Sequence, residues 1–346
     1  MPNSFVTTPS QALDIHGVYP DAPTRLVEPG GLINTTWFVG HPPRGVLQRV
    51  NAIFPEAIHP RIQAVTGHLE ARGMATPRIV PARDGRLVLP GPDGTTWRLM
   101  DFVPGVTMER VTSPELARRA AALVGRFHST MLDYPGDLTP LRPDPHDTLR
   151  HMATLAAAMD ACGEHRLCDG VRRLGVAVLE GWQLWQRRFG GGEPPIRPAH
   201  GDLKISNLRF DHDERALCLI DLDTLSSMPL ALELGDAMRS WCNRSGEDGG
   251  EVDVDLEIFA AAIDGYRSTA GFVTLEELAS IAPGTLRICL ELAARFGADA
   301  YHESYFGWDP SVAPGRGEHN LLRAQAQLAL AAAVERRMGE LEAVVG

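Results

Sequence analysis

The run His200-Gly201-Asp202-Leu203-Lys204-Ile205-Ser206-Asn207 carries the residue types that phosphoryl transfer requires. An aspartate two residues after a histidine can take the proton of an attacking hydroxyl. An asparagine five residues later can offer its oxygen to a metal ion. Fourteen residues beyond Asn207, the apolar pair Leu219-Ile220 ends in Asp221, where a second metal ligand belongs, and Asp223 follows. Lys204 is the only lysine among 33 basic residues, the other 32 being arginine. A compact ammonium beside Asp202 suits a point-charge contact with a transferring phosphate. A lone His-Gly-Asp would be an ordinary turn. With the asparagine, the lysine and the strand-ending aspartate at workable spacing, the turn becomes the weaker reading.

Elements must exist to position these groups. From Tyr19 to Val103 the chain reads as short strands around one helix, Pro55 to Arg72, with Ile58, Ile62, Val65 and Leu69 at helical spacing. Ile33 to Val39 and Gly45 to Val50 read as strands, and Asp93-Gly94 marks a hairpin between Leu87-Val88-Leu89 and Thr95 to Phe102. Pro104-Gly105 then stops the pairing, so Asp101 to Gly105 is the expected crossover. Beyond it the chain is mainly helical. Ser113 caps a helix whose apolar face is Leu116, Ala120, Leu123, Phe127 and Met131, and Asp169 to Arg188 forms another. Further helices are expected near Asp255 to Ala270, Leu275 to Ile281, Thr285 to Asp299 and Asn320 to Leu341, with a mobile loop at Gly246 to Gly250. The class is α+β, a bilobal, protein-kinase-like arrangement. A small β-rich lobe spans residues 1–103 and a larger helical lobe 104–346.

Composition narrows the function. A chain of 346 residues with 44% apolar and 22% charged residues is globular and long enough for two cores. A formal net charge of −11 argues against a nucleic-acid surface, which rewards clustered cations. No apolar run reaches the roughly 18–20 residues of a membrane span. Met1 to Asp14 lacks a basic start followed by an apolar stretch, so no signal peptide is read and a cytoplasmic location is expected. Cys162, Cys168, Cys218, Cys242 and Cys289 are odd in number and lack a C-x-x-C pair, so buried free thiols are expected.

On His200, Asp202, Asn207 and Asp221, with Gly125-Arg126-Phe127-His128 and Gly235-Asp236-Ala237-Met238-Arg239 in support, the chain resembles the aminoglycoside phosphotransferase and choline kinase superfamily. Within it, Gly31-Leu32-Ile33-Asn34-Thr35-Thr36, Val46-Leu47-Gln48-Arg49-Val50-Asn51, Ile220-Asp221-Leu222-Asp223-Thr224 and His319-Asn320-Leu321-Leu322-Arg323-Ala324 look most like the N-acetylhexosamine 1-kinase group. The resemblance implies ATP and Mg2+ as cofactors, Asp202 as base, and Asn207 and Asp221 as metal ligands. Asp223 would assist the metal, face the substrate or cap its turn. His200 joins the catalytic set, chiefly as an architectural residue. Gly30-Gly31 would close over the phosphates, and the Asp101 and Val103 backbone would meet adenine.

One departure stands out: the strand lysine usual in such kinases is absent. Arg49 or Gln48 occupies its strand, on opposite faces, and Arg49 is preferred because the task is charge neutralisation. Glu56 or Glu70 would orient it. Asn34, Arg295, Tyr301 and Tyr305 are the candidate substrate residues, with His302 and Trp308 nearby. The expected activity is ATP-dependent phosphorylation of a small molecule, at the anomeric hydroxyl of a sugar or amino sugar. The alternatives are an aminoglycoside, choline or homoserine-type kinase, which would want carboxylates such as Asp299, Glu303 and Asp309, and a nucleotide-binding regulator without turnover.

Overall fold

The computed structural model describes residues 5–19, 21–27, 33–142, 146–192, 194–244 and 252–345. Gly30, Gly31 and the expected loop at 246–250 lie outside them. The N-terminal part comprises helix α1 (Pro9–His16), strands β1 (Thr24–Leu26), β2 (Thr35–Val39) and β3 (Gly45–Val50), helix α2 (Ile58–Ala71), and strands β4 (Ile79–Val80), β5 (Leu89–Pro90) and β6 (Thr96–Asp101). The strands form one antiparallel sheet ordered β1-β2-β3-β6-β4, with β5 also paired to β6. Asp93 and Gly94 both take positive φ, 55° and 74°, in the turn expected between β5 and β6.

Strand alternation gives this sheet two different faces. Leu47, Trp97 and Leu99 point to one side and pack with Ala12 and Leu13 of α1, where the Trp97 indole donates to the Val6 carbonyl (2.9 Å). Val50 and Met100 point to the other and join Ile58, Ile62, Val65 and Leu69 of α2 in the core that continues into the helical part. Each such side chain, fully buried, contributes about 1.5–3 kcal/mol.

The C-terminal part comprises α3 (Pro114–Met131), α4 (Thr148–Ala161), α5 (Cys168–Phe189), β7 (Ile196–Ala199), β8 (Leu208–Phe210), β9 (Ala216–Leu219), β10 (Ser226–Pro229), α6 (Leu230–Trp241), α7 (Leu256–Thr269), α8 (Leu275–Ala279), α9 (Ile281–His302), α10 (Arg316–Arg336) and α11 (Met338–Val345). Ser113 caps α3, its hydroxyl accepting from the Leu116 amide (3.1 Å), and the expected apolar face of that helix is buried against α7. Helix α9 runs through the centre, packed on α4, α5, α6 and α10. Helices α1, α4 and α6 are absent from the sequence reading, and α6 starts directly from the end of β10.

The thiol expectation is corrected. Cys162 and Cys168 form a disulfide across the turn between α4 and α5, while Cys218, Cys242 and Cys289 are buried free thiols. The turn brings the two Cα atoms to 5.2 Å, a proximity no spacing in the chain signals. No helix among the described residues is long and apolar enough to cross a membrane.

Candidate active site

Two nested antiparallel ladders create the site. Strand β7 pairs with β10, and the pair β8–β9 lies between them in the chain. The two connections, residues 200–207 and 220–225, must therefore run side by side. Leu208 opposes Leu219 in the inner ladder, and the Ile220 amide donates to the Asn207 carbonyl (2.9 Å), so Asn207 and Asp221 meet at its open end.

The first connection is held by buried groups. The His200 ring is fully buried; its Nε2–H donates to the Ile220 carbonyl (2.8 Å) and its Nδ1 accepts from the Asp202 amide (3.3 Å). Both ring nitrogens thus tie backbone, a positioning role. The amides of His200 and Gly201 donate to the Glu233 carboxylate of α6 (2.8 and 3.0 Å), with His128 Nε2 3.5 Å away. Burial opposes the Glu233 charge most, but His128 and the His200 amide outweigh it and hold the carboxyl below its ordinary range. Glu233 escaped the sequence reading because nothing local marks it, although its neighbours Asp236 and His128 lie in two of the supporting motifs. Gly201, at φ 86°, is required: a Cβ there would lie 2.5 Å from the Thr224 carbonyl oxygen of the second connection.

Asp202 accepts from Asn207 Nδ2 (2.9 Å, to both its carboxylate and its carbonyl) and pairs with Lys204 Nζ (3.0 Å). The side-chain oxygen Oδ1 of Asn207 has no part in those bonds. Burial works first against the Lys204 charge, but Asp202, Asp221 and Asp236 keep its pKa above that of an ordinary lysine. Asp221 is exposed to solvent by its surface, although many protein atoms lie around its carboxyl. That crowding, then Asp223 and Asp202, pushes its pKa up to about 7. An amide oxygen and a carboxylate are hard donors, suited to Mg2+ with phosphates and water completing the shell. Among the described residues there is no group of three or more His, Cys, Asp or Glu that could hold a metal ion.

Across the cleft, four expectations are corrected. Arg49 is exposed, on the α1 face of β3, because the Val46, Gln48 and Val50 side turns to α2. The cation on the cleft face is Arg98 of β6, directly opposite Gln48, and Gln48 Oε1 accepts from its Nε (2.9 Å) and Nη2 (2.7 Å). Arg98 pairs through Nη1 and Nη2 with Asp223, which also accepts from Asn34 Nδ2 (2.8 Å). Asp223 is therefore the buried counter-ion of Arg98 and not a metal ligand. Asn34 is occupied as well, since its Oδ1 accepts from the Asn51 amide (3.0 Å). Glu70 pairs with Arg78 and takes no part in the site.

At the crossover, Asp101 ends β6 with its amide on the Arg78 carbonyl (2.9 Å). Arg209 of β8 donates to the carbonyls of Val103 (3.0 Å) and Gly105. In the C-terminal part, Arg295 of α9 is half-buried, 5.6 Å from the Phe306 ring centre. Tyr305 is exposed, edge-on to the same ring, whereas Tyr301 packs edge-on against His165 (5.4 Å). Arg295 and Tyr305 share a wall; Tyr301 faces the α4–α5 turn.

Of the candidate carboxylates, Asp299 and Glu303 are held by several donors, whereas Asp309 is exposed and accepts through one oxygen. Asp299 accepts from the amides of Ser304 (3.0 Å), Tyr305 (3.0 Å) and Phe306 (2.8 Å) and from Asn320 Nδ2 (2.9 Å). Glu303 binds Arg166 (2.6 and 3.0 Å), and Asp309 accepts from Ser311 (2.8 and 2.7 Å).

The profile of the phosphotransferase enzyme family (APH) matches residues 26–272. Among solved structures, an aminoglycoside phosphotransferase from Alicyclobacillus acidocaldarius is 14% identical, covers 97% of this chain and 98% of its own, and superposes with a TM-score of 0.64. A microcompartment-associated aminopropanol kinase is 18% identical over 96% of this chain and 97% of its own, with a TM-score of 0.66. The amicoumacin kinase hAmiN, solved with AMP-PNP, Ca2+ and Ami, is 13% identical over 94% and 90%, with a TM-score of 0.62. At these identities the likeness is one of fold, the kinase-like bilobal α+β architecture.

Proposed function

The chain belongs to the phosphotransferase enzyme family, and from that premise we propose an ATP-dependent kinase acting on the anomeric hydroxyl of a sugar or amino sugar. Residues 1–103 form the ATP-binding lobe and 104–346 the lobe that binds the acceptor. The Asp101 carbonyl and the Val103 amide meet adenine. Asn207 Oδ1 and the Asp221 carboxylate hold Mg2+, which when bound neutralises charge on the ATP phosphates. Asp202 orients the acceptor hydroxyl and takes its proton as the phosphoryl group passes in line. Asn207 holds the Asp202 carboxylate and Lys204 balances its charge, so this machinery works mainly by positioning and electrostatics.

The observation that supports the acceptor class is the engagement of Asp299 and Glu303 by protein donors. A cationic amine would need carboxylates free to pair with it. The half-buried Arg295, beside the Phe306 ring, instead suits a neutral hydroxylated acceptor with one apolar face. The subgroup reading as an N-acetylhexosamine 1-kinase is part of this proposal. ADP release across free sugars, amino sugars, aminoglycosides, choline and homoserine tests it. A sugar should give an acid-labile, non-reducing phosphate, and turnover confined to the aminoglycosides, choline or homoserine would overturn the acceptor class.

A further inference from the structure

The turn that carries Asp221 is gripped from both sides of the cleft. Asp221 sits at φ 61° and ψ 57°, a left-handed conformation that is uncommon outside glycine but that aspartate tolerates better than most residues. Upstream, the grip is His200 Nε2–H on the Ile220 carbonyl (2.8 Å), from the C-terminal lobe. Downstream, the grip comes from the N-terminal lobe. Arg98 Nη2 (2.8 Å) and Asn34 Nδ2 (2.8 Å) bind Asp223, and Arg61 Nη1 binds the Leu225 carbonyl (3.1 Å). The side chains of Arg98 and Asp223 are each 1% exposed. A pair so thoroughly desolvated adds little net stability, and the best-attested use of such pairs is to specify one arrangement over others. Gln48 locks the guanidinium fork from behind, so the residue in the usual lysine strand serves Arg98.

We propose that Arg98, clamped on Asp223, is a positioning residue through which the N-terminal lobe holds Asp221 in its metal-binding geometry. Affinity for the divalent cation then depends on engagement of the two lobes. This inference rests on the reading of Asp221 as a metal ligand. Arg98 need not touch nucleotide: four of its N–H···O contacts go to Gln48 and Asp223. Lysine cannot replace it, because a point charge does not reproduce the fork.

The test is binding of a fluorescent ATP analogue to the full chain, with and without Mg2+, beside thermal unfolding. The variants are Arg98→Lys, the charge-free double Arg98→Met/Asp223→Asn, and Gln48→Leu. Loss of groups that support a metal ligand typically lowers metal affinity about 10–100-fold. We expect that loss in apparent Mg2+ affinity for Arg98→Lys and the double variant, with metal-free nucleotide affinity within about twofold of wild type. Gln48→Leu, which strands no charge, should shift in the same direction by less. A folded double variant with wild-type Mg2+ dependence overturns the proposal. So does an equal fall in metal-free and metal-bound affinity, which would make Arg98 a nucleotide contact. Should the double variant not fold, an unshifted Gln48→Leu overturns it. Wild-type protein that binds no nucleotide sinks the kinase reading itself, a separate result.

Discussion

Removing Glu233 tests how the 200–207 connection is held, with no need to know the acceptor. Its carboxylate takes the amides of His200 (2.8 Å) and Gly201 (3.0 Å) in a fully buried spot. Glu233→Ala leaves both donors unpaired, at about 1–3 kcal/mol each, so the total is about 2–6 kcal/mol. Glu233→Gln keeps one acceptor oxygen and loses the charge, for about 1.5–3 kcal/mol. Urea unfolding followed by circular dichroism should rank wild type above Gln and Gln above Ala. The pH dependence adds a second signature. Burial acts first to raise the Glu233 pKa, yet His128 and the His200 amide bring it below the ordinary 4.5. A depressed folded-state pKa means the contribution is complete above the unfolded value and is lost as pH falls through the folded one. The gap between wild type and Glu233→Gln should therefore narrow in acid below about pH 4.5. An Ala variant within about 0.5 kcal/mol of wild type, against that lower bound, would refute the reasoning, since the two amides would have found other acceptors.

Asp202→Asn should lower kcat by at least about 100-fold with little change in ATP affinity, because a general base is worth about 10²–10⁴; near-wild-type turnover would remove it as the base. Asn207→Ala and Asp221→Ala should both raise the Mg2+ concentration needed for half-maximal ADP release, Asp221→Ala more, since a carboxylate brings charge where an amide brings a dipole. Overlaid magnesium titrations would dismiss both as ligands. Arg49→Ala should leave the KM for ATP unchanged, because the side chain is exposed on the α1 face of the sheet. A several-fold rise would put Arg49 back in the phosphate site.

The loop from His200 to Asn207 and the strand ending at Asp221 are legible in the chain because their chemistry resides in residue types a few positions apart. A carboxylate remains a base and an amide oxygen a hard donor wherever the backbone takes them. The hairpin at Asp93-Gly94 and the apolar face of α3 are legible for the same local reason: turn conformation and helical period are short-range properties. Other assignments depended on distant contacts. Alternation placed Gln48 and Arg49 on opposite faces, but only the packing of α1 on one side and α2 on the other decided which faced the cleft. Asp223 became an anchor because Arg98, 125 residues earlier, lies opposite it in the folded chain. Glu233 reaches the His200 amide from 33 residues away, off a helix absent from the sequence reading. Cys162 and Cys168 pair only because the α4–α5 turn closes. Residue type fixes what a side chain can do, whereas burial and long-range register decide which group it meets, and those arise only when distant segments exclude water together.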